Sequence, residues 1–327
     1  MIVDAHNHVI PRGIVSLFDA DPEAFGVRVD KGDSQTRLVH REGFAYPLFD
    51  EFLNPASKVQ KLDERGFDKA IISPSPTLFF YRENAERNAE FVRTLNNEVA
   101  AFAASAPTRL IAMGTLPMQS PEASVLELEY LVTKLGIRAV MIGTHVDGIQ
   151  LAAPEYRSVL KKAAELDVFI LTHPYYFGVK PGLEPYYLTN LIGNPLDTAV
   201  MAAQLIFSGA MEEIPNLKIC LSHGGGFLPY QIGRLVHGQK VRKEAQTIAT
   251  SPKDVLKRFY FDSITHDPQA LRYLIDLVGP EHVLLGTDIP FDMADLTPME
   301  NLKHAGVSAS ELDLIQGENA LTLVSAV

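Results

Sequence analysis

The chain has 327 residues, of which 46% are hydrophobic and 21% are charged. This balance is typical of a globular protein with one large domain or two ordinary ones. The formal net charge of −11 is not offset by any basic block, which argues against a nucleic-acid-binding surface.

Cysteine content and the N-terminal segment bear on location. The one cysteine, Cys220, excludes an internal disulfide and suits a reducing compartment. The N-terminus lacks the basic and long apolar regions of a signal peptide, and no apolar run reaches the ~20 residues that span a membrane. We therefore expect a cytoplasmic protein that binds neither membranes nor nucleic acid.

Two histidines mark the end of the first predicted strand. Ile2–His6 is a short apolar run, and His8 follows with one residue between the two imidazoles. Residues two apart on a strand point to the same side, so these side chains converge as a pair of metal ligands must. A catalytic divalent metal usually takes three or more protein ligands, so other strands should supply the rest.

Eight apolar, mostly β-branched runs alternate with helical patterns along the chain. Continuous apolar strands are typical of parallel sheets that are buried on both faces. The predicted strands are Ile2–His6, Lys69–Ser73, Leu110–Leu116, Ala139–Gly143, Val168–His173, Leu217–His223, Phe259–Ser263 and Val283–Asp288.

This alternation predicts an α/β fold, a (β/α)8 TIM barrel, as a single domain over residues 1–327. An open doubly wound sheet is the alternative, but no Gly-x-Gly-x-x-Gly follows an early strand.

Helix starts are predicted where a capping residue precedes a proline or where Ser308 and Glu311 form a capping box. The capping pairs are Asn54-Pro55, Ser120-Pro121, Asn194-Pro195, Ser251-Pro252 and Asp267-Pro268.

Two connections are too long to be simple βα loops. Residues 10–54 form an insertion after strand one, in which Thr36–His40 has the alternation of a small hairpin. Residues 174–195 follow strand five and are rich in Pro, Gly, Tyr and Asn. Both leave the carboxyl end of a strand, where barrel enzymes build their sites. We expect them to form substrate-pocket and lid segments.

Chemically active side chains recur where the predicted strands end. His6 and His8 end strand one, His173 ends strand five, His223 ends strand six and Asp288 ends strand eight. In a closed barrel these side chains share one face. Four histidines and one aspartate at this face are hard to explain as packing alone.

Three histidines and one carboxylate around an open position suit a hydrolytic-type divalent ion. We predict His6, His8, His173 and Asp288 as its ligands, with zinc as the metal and manganese as the alternative. His223 then remains as a free imidazole, suited to shuttle a proton beside the metal. His223 and Asp288 are the predicted catalytic residues. The three glycines after His223 are predicted to let the backbone approach a ligand closely.

Seven segments, spread in order over nearly the whole chain, together resemble the amidohydrolase superfamily. Within it they are most similar to the amidohydrolase-2 branch and its 2-amino-3-carboxymuconate-6-semialdehyde decarboxylases. The matching segments are Asp4-Ala-His-Asn-His8 with Pro11, Gly114-Thr-Leu-Pro-Met-Gln119, Ile142-Gly-Thr-His-Val146, Thr172-His-Pro174, His223-Gly-Gly-Gly226, Gly233-Arg234 with His237-Gly238, and Gly286-Thr-Asp-Ile-Pro-Phe291.

The resemblance implies a barrel with one zinc ion in the predicted ligand set and His223 as the acid/base. It implies non-oxidative decarboxylation of a small aromatic-derived or unsaturated carboxylic acid, with no organic cofactor. It also implies a homodimer in which Arg234 reaches across the interface to the substrate carboxylate, a task that suits a guanidinium. Phe291 would line the pocket.

The chain departs from this family in the predicted substrate pocket. Tyr175 follows His173-Pro174 where the family relative has tryptophan. The family's second substrate-binding arginine aligns near Tyr46, and we consider Arg41, in a shifted loop, as its replacement. The metal set is therefore better supported than the identity of the substrate.

Two other functions use the same scaffold. A hydrolase of a lactone or amide would employ the same metal shell, with an aspartate taking the proton. A non-enzymatic binding protein is the third reading, against which the intact ligand set and the free His223 argue. Arg234 and the decarboxylase-like segments favour a carbon–carbon lyase.

Overall fold

Thirteen strands occur in the computed structural model, which describes residues 1–33, 35–175 and 181–325. They are β1 Val3–Val9, β2 Val27–Lys31, β3 Thr36–His40, β4 Ala45–Pro47, β5 Lys69–Pro74, β6 Leu110–Ala112, β7 Ala139–Gly143, β8 His145–Val146, β9 Ile149–Gln150, β10 Phe169–His173, β11 Lys218–Leu221, β12 Tyr260–Asp262 and β13 Val283–Leu284.

Eight of these strands pair in parallel around a ring. One run of neighbours is β1-β5-β6 and the other is β7-β10-β11-β12-β13. Parallel bridges from Gly114 to Val140 and from Asn7 to Ile289 join the two runs at both seams. The Ala5 N–H also donates to the Leu285 carbonyl at 2.8 Å. The sheet is thus a closed barrel, as predicted, rather than an open sheet.

The barrel strands agree with the predicted positions to within a few residues. Every residue of Ala139–Gly143 is buried, because the barrel interior covers one face and helices cover the other. Each fully buried aliphatic side chain contributes about 1.5–3 kcal/mol of hydrophobic stabilisation. The largest differences are in strands three and eight, which are regular only over Leu110–Ala112 and Val283–Leu284. Strand eight ends before the chain turns toward Asp288.

Helices surround the barrel. They are α1 Arg12–Ala20, α2 Asp50–Leu53, α3 Pro55–Arg65, α4 Ala85–Ala104, α5 Pro121–Tyr130, α6 Arg157–Glu165, α7 Asn194–Phe207, α8 Ala210–Glu213, α9 Leu228–Val241, α10 Pro252–Leu256, α11 Pro268–Val278, α12 Pro298–His304, α13 Ala309–Asp313 and α14 Asn319–Val324. Within the described ranges, none is long and apolar enough to span a membrane.

Most predicted helix starts are present. The side chains of Asn54, Ser120 and Asp267 cap their helices, and Ser308 and Glu311 form the expected capping box. Asn194 does not cap α7. The π-helical turn Thr189–Gly193 runs directly into α7, so Asn194 is already a helical residue. Ser251 precedes α10 without a side-chain capping bond.

The insertion after β1 contains more structure than the predicted hairpin. β2, β3 and β4 form an antiparallel sheet in that order, with Leu38 paired opposite Tyr46. Leu38 and His40 are buried on the same face of β3.

The predicted lid spans residues 174–195, of which residues 176–180 lie outside the described residues. A 3-10 turn, Pro185–Tyr187, precedes the π-helical turn that leads into α7. The single-domain organisation stays a prediction.

Candidate metal centre and active site

Strand β1 carries His6 and His8 into the carboxyl end of the barrel. The strand extends to Val9, so both histidines lie within it, and both are fully buried. A register shift relative to β5 occurs between Asp4 and Asn7. The two imidazoles lie edge to face with their centroids 5.1 Å apart.

His173 and Asp288 complete the cluster from two other strands. His173 is the last residue of β10, and Asp288 follows β13 with a left-handed φ of 63°. The Asp288 N–H donates to the His6 carbonyl at 2.8 Å, which ties the two positions together. One ligand atom from each of His6, His8, His173 and Asp288 lies within 4.8 Å of the others.

The Nδ1 atoms of the three histidines contact partners outside the cluster. His6 Nδ1 lies 2.7 Å from Asp262 Oδ2, and His8 Nδ1 lies 3.1 Å from Ser73 Oγ. His173 Nδ1 pairs with the Pro174 carbonyl. These contacts place the Nδ1 protons outward and leave each Nε2 lone pair directed at the Asp288 carboxylate.

The donor atoms at the centre are suited to a cation. His8 Nε2 is 2.8 Å from Asp288 Oδ1, whereas His6 Nε2 and His173 Nε2 are 3.6 and 3.7 Å from it. The last two nitrogens are buried with no hydrogen-bond partner among the described residues. Buried polar atoms without partners are costly, and a divalent ion would satisfy them.

The pKa shifts of the clustered side chains also favour a bound cation. Burial lowers the pKa of His8 to about 4 and that of His173 to about 3, so both are neutral and can coordinate at pH 7. Burial opposes charge on His6, but the carboxylates of Asp262 and Asp288 outweigh it and raise its pKa. Burial also opposes ionisation of Asp288, but its interactions with the neighbouring imidazoles, led by His173, hold its pKa well below the usual range. The centre therefore favours positive charge.

His223 lies beside the cluster rather than within it. It follows β11 in a short 3-10 turn with a φ of 54°, and its Nε2 is 3.4 Å from Asp288 Oδ2. Its side chain is 17% exposed, compared with 6% or less for the three clustered histidines. His223 can therefore reach both the centre and the open cavity. A Cβ on Gly226 would overlap the Pro195 carbonyl, so this glycine permits close packing on α7 as well as lining the cavity.

Asp262 is a site residue that the sequence analysis missed. It ends β12, and its Oδ2 accepts from His223 N–H at 2.9 Å in addition to contacting His6. Its Oδ1 accepts from Gly224 N–H at 2.8 Å. Burial raises its pKa, but its partners, led by His6, lower it overall. Its place at the end of the seventh predicted strand was a signal that could have revealed it.

A cavity of about 1380 Å³ opens from the centre and is lined by His173, His223 and Asp288. This exceeds the ~300–1,000 Å³ of ordinary small-molecule pockets. Its walls are strongly aromatic and include the predicted Tyr175 and Phe291. The other aromatic lining residues are Phe44, Tyr46, Phe49, Phe52, Tyr187, Phe227, Tyr230 and Tyr273.

The predicted arginines lie away from this cavity in the isolated chain. Arg41 is exposed in the β3–β4 turn and donates to the Glu23 carbonyl at 3.1 Å. Arg234 is exposed on α9. Neither lines the cavity within the described residues, where Arg37 of β3 is the one lysine or arginine in the lining. The insertion therefore presents a different arginine from the one expected.

The amidohydrolase family model matches residues 3–325. The chain belongs to the amidohydrolase family. It is 30% identical over 325 residues to 2-amino-3-carboxymuconate-6-semialdehyde decarboxylase of Dictyostelium discoideum, covering 98% of this chain and 90% of that protein. The family match confirms the predicted family, and the match to a decarboxylase confirms the predicted class of activity, which is metal-dependent, non-oxidative decarboxylation.

Two solved structures share the fold of this amidohydrolase. The apo IDCase of Metarhizium anisopliae has a TM-score of 0.85 at 23% identity, covering 99% of this chain and 96% of that one. A dihydroxybenzoic acid decarboxylase from Polaromonas sp. JS666, with bound manganese and 2-nitroresorcinol, has a TM-score of 0.80 at 23% identity, covering 98% and 96%. These likenesses confirm the barrel.

Proposed function

We propose that this amidohydrolase removes CO2 without oxidation from a small aromatic carboxylic acid. In this proposal His6, His8, His173 and Asp288 hold one divalent ion, and His223 moves the proton. The observation that carries it is the convergence of three imidazole Nε2 atoms and one carboxylate within 4.8 Å at the base of an aromatic cavity.

The donor set suits zinc, with manganese as the alternative, because imidazole and carboxylate ligands accept both. The manganese in the Polaromonas decarboxylase supports the alternative. When bound, the ion would act as a Lewis acid and template that polarises the oxygens near the departing carboxylate. No organic cofactor is required by this chemistry.

His223 is proposed to deliver a proton to the carbon that CO2 leaves. As the carbon–carbon bond breaks, its electron pair stays on that carbon and takes up one proton, which balances the reaction. The exposed edge of His223 faces the cavity, while its backbone N–H is fixed by Asp262. Asp262 is a positioning residue, because it also holds His6 through Nδ1.

The cavity supports a flat, anionic substrate. Aromatic walls favour stacking against a planar ring. Arg37 offers a guanidinium whose one hydrogen bond within the described residues is long, 3.4 Å from Nη2 to the Ala45 carbonyl. We propose Arg37, rather than Arg41, as a rim contact for a carboxylate, with Phe291 and Tyr175 as ring contacts.

A homodimer is proposed to complete the site, with Arg234 supplied by the partner. Helices α7 and α9 pack together, and each exposes apolar side chains. These are Leu196, Val200, Tyr230 and Val241, with Tyr230 78% exposed. Exposed apolar patches of this kind often mark subunit interfaces.

We further propose a cytoplasmic location, which the single buried cysteine supports.

A carboxylic-acid panel tests this function. Zinc- or manganese-loaded protein is incubated with substituted benzoic acids and unsaturated dicarboxylic acids, and released CO2 is measured against substrate loss. The control is His223→Ala at matched metal content. We expect equimolar CO2 from at least one acid and little from the variant. Hydrolysis of a parallel lactone and amide panel without CO2 release would contradict the proposal and favour the hydrolase.

A further inference from the structure

Three hydroxyl groups form a chain on the cavity wall beside the proposed metal centre. Tyr46 Oη lies 2.6 Å from Thr77 Oγ1, and Thr77 Oγ1 lies 2.7 Å from Ser75 Oγ. Tyr46 and Thr77 line the cavity, whereas Ser75 is fully buried behind them. Tyr46 comes from the insertion and the other two follow β5.

The surroundings of Ser75 determine which of the three hydroxyl groups donates to which. Ser75 precedes the 3-10 turn Pro76–Leu78, and its Oγ accepts from the Thr77 N–H at 3.4 Å. Within the described residues, Thr77 Oγ1 is the acceptor left for the Ser75 hydroxyl proton, and a buried hydroxyl proton needs a partner. Thr77 in turn donates to Tyr46 Oη. The Tyr46 hydroxyl proton then remains available for a ligand, because Tyr46 is at the cavity end of the three hydroxyl groups.

The Tyr46 ring is held where a substrate ring would reach it. Its centroid lies 5.8 Å from that of Phe291, and the Phe291 centroid lies 5.3 Å from that of His8. Tyr46 also stacks on His40 at 5.6 Å and contacts Phe52 at 6.3 Å. Phe291 thus contacts both the proposed metal centre and Tyr46, so a substrate ring packed against Phe291 would lie near both.

Tyr46 acts as a neutral donor rather than as a charged group. Burial raises the pKa of its phenol, outweighing the hydrogen bonds from Thr77 and Ser75, so the proton is retained at physiological pH. A neutral donor recognises a hydroxyl or carbonyl oxygen without demanding a second negative charge. Once a ligand excludes water from this part of the cavity, the Tyr46 donor also penalises any ligand that leaves it unpaired.

We propose that Tyr46, oriented by Thr77 and Ser75, is a specificity-determining residue that donates a hydrogen bond to an oxygen substituent on the ring of the substrate. This deepens the proposed function and rests on it. The protein then discriminates between acids that carry such an oxygen and those that lack it, at a point separate from the departing carboxylate.

The test compares binding of benzoate with that of 2-, 3- and 4-hydroxybenzoate. Metal-loaded protein in the His223→Ala background is titrated calorimetrically, and ligand integrity is checked afterwards. We expect at least one isomer to bind about tenfold more tightly than benzoate, the size of one hydrogen bond. Tyr46→Phe should abolish that preference and leave benzoate affinity within about twofold. Thr77→Val should reduce the preference by about threefold, because Tyr46 loses its orienting partner.

Tyr130→Phe is the matched control. It also removes one tyrosine hydrogen bond, to Asn97 Oδ1 at 2.8 Å, but on the outer surface of α5. This variant should retain the full preference. Equal losses for benzoate and all isomers in Tyr46→Phe, or an unchanged preference, would overturn the role of Tyr46. Because binding is measured without turnover, failure of CO2 release in the panel would count against the proposed function alone.

Discussion

Thr287 Oγ1 donates a 2.6 Å hydrogen bond to Asp4 Oδ2 across the seam where the first and last barrel strands meet. The same oxygen accepts from the Ile289 N–H at 3.2 Å, and Asp4 Oδ1 accepts from the His6 N–H at 3.2 Å. The pair thus fixes the backbone of His6 and both neighbours of Asp288. This matters because Asp288 has a left-handed φ, which surrounding contacts must maintain.

Asp4→Asn should weaken metal binding, because the amide cannot accept as strongly from Thr287 and the Asp288 loop loses its anchor. Contacts that orient ligands typically contribute about 10–100-fold in metal affinity, and we expect a loss in this range. Metal titration of the apo protein measures it. Thr287→Val should have a similar effect and Thr287→Ser should retain most of the affinity. Unchanged affinity in both Asp4→Asn and Thr287→Val would contradict the anchor.

His6→Ala should lose the ion, since it removes one of four ligands and leaves Asp262 without its imidazole partner. Wild-type protein should hold about one divalent ion per chain, as a single donor set of this kind implies. Elemental mass spectrometry of purified protein measures the stoichiometry. His304→Ala, at the exposed end of α12, is the matched control and should keep the ion. Stoichiometric metal in His6→Ala would refute the ligand assignment.

His223→Ala should keep the ion and lose most turnover, because its Nε2 contacts Asp288 without belonging to the central four. Removing a positioned general acid or base typically lowers the rate by about 10²–10⁴-fold. Steady-state CO2 release and metal content, measured on the same sample, separate the two effects. Full activity would exclude the proton-transfer role, and loss of metal would place His223 among the ligands.

The convergence of His6, His8, His173 and Asp288 could be predicted because it depends on two robust features. Apolar runs mark barrel strands, and the carboxyl ends of those strands share one face. His6, His173 and Asp288 are far apart in the chain, yet strand order alone brings them together. Even strand eight, regular over only Val283–Leu284, delivers Asp288 as expected because the barrel closes through the backbone of β1.

The substrate pocket could not be predicted in the same way. The insertion is antiparallel, and its side-chain directions depend on where each strand ends. β3 ends at His40, so Arg41 falls in the turn while Arg37 lies on the strand that borders the cavity. Tyr46 meets Thr77 only through tertiary packing of the insertion on the β5 end. No local pattern encodes such a contact.

Arg234 acting from the partner subunit predicts complementation between two inactive variants. Arg234→Ala should lower activity with metal retained, and His6→Ala should be inactive through metal loss. Mixed and refolded or co-expressed, they should form hybrid dimers with one intact site, which would regain up to about a quarter of wild-type activity for random pairing. The CO2 assay measures the recovery. Arg242→Ala, at the exposed end of α9, is the control and should stay fully active alone. No recovery in verified hybrids would contradict the arrangement.

Glu311→Gln should destabilise the C-terminal region in a pH-dependent manner. Arg272 Nη2 donates to Glu311 Oε1 at 2.9 Å and Ser308 N–H donates to Oε2 at 2.6 Å, and these bonds lower the pKa of Glu311 to about 2. A carboxylate with a lower pKa in the folded state stabilises the fold above its unfolded pKa, and this stabilisation is lost as pH falls toward 2. Because the pair is partly exposed, we expect a loss of about 1 kcal/mol in the free energy of unfolding at pH 7.

Thermal unfolding of wild type and variant at several pH values measures this difference. At pH 7 the midpoint should fall by about 2 °C, and the gap should narrow as the pH is lowered from about 4.5. Glu318→Gln changes the same functional group at an exposed position, outside the capping box, and should leave the midpoint unchanged at every pH. A gap in Glu311→Gln that stayed constant between pH 7 and pH 3 would mean that the carboxylate charge is not its source.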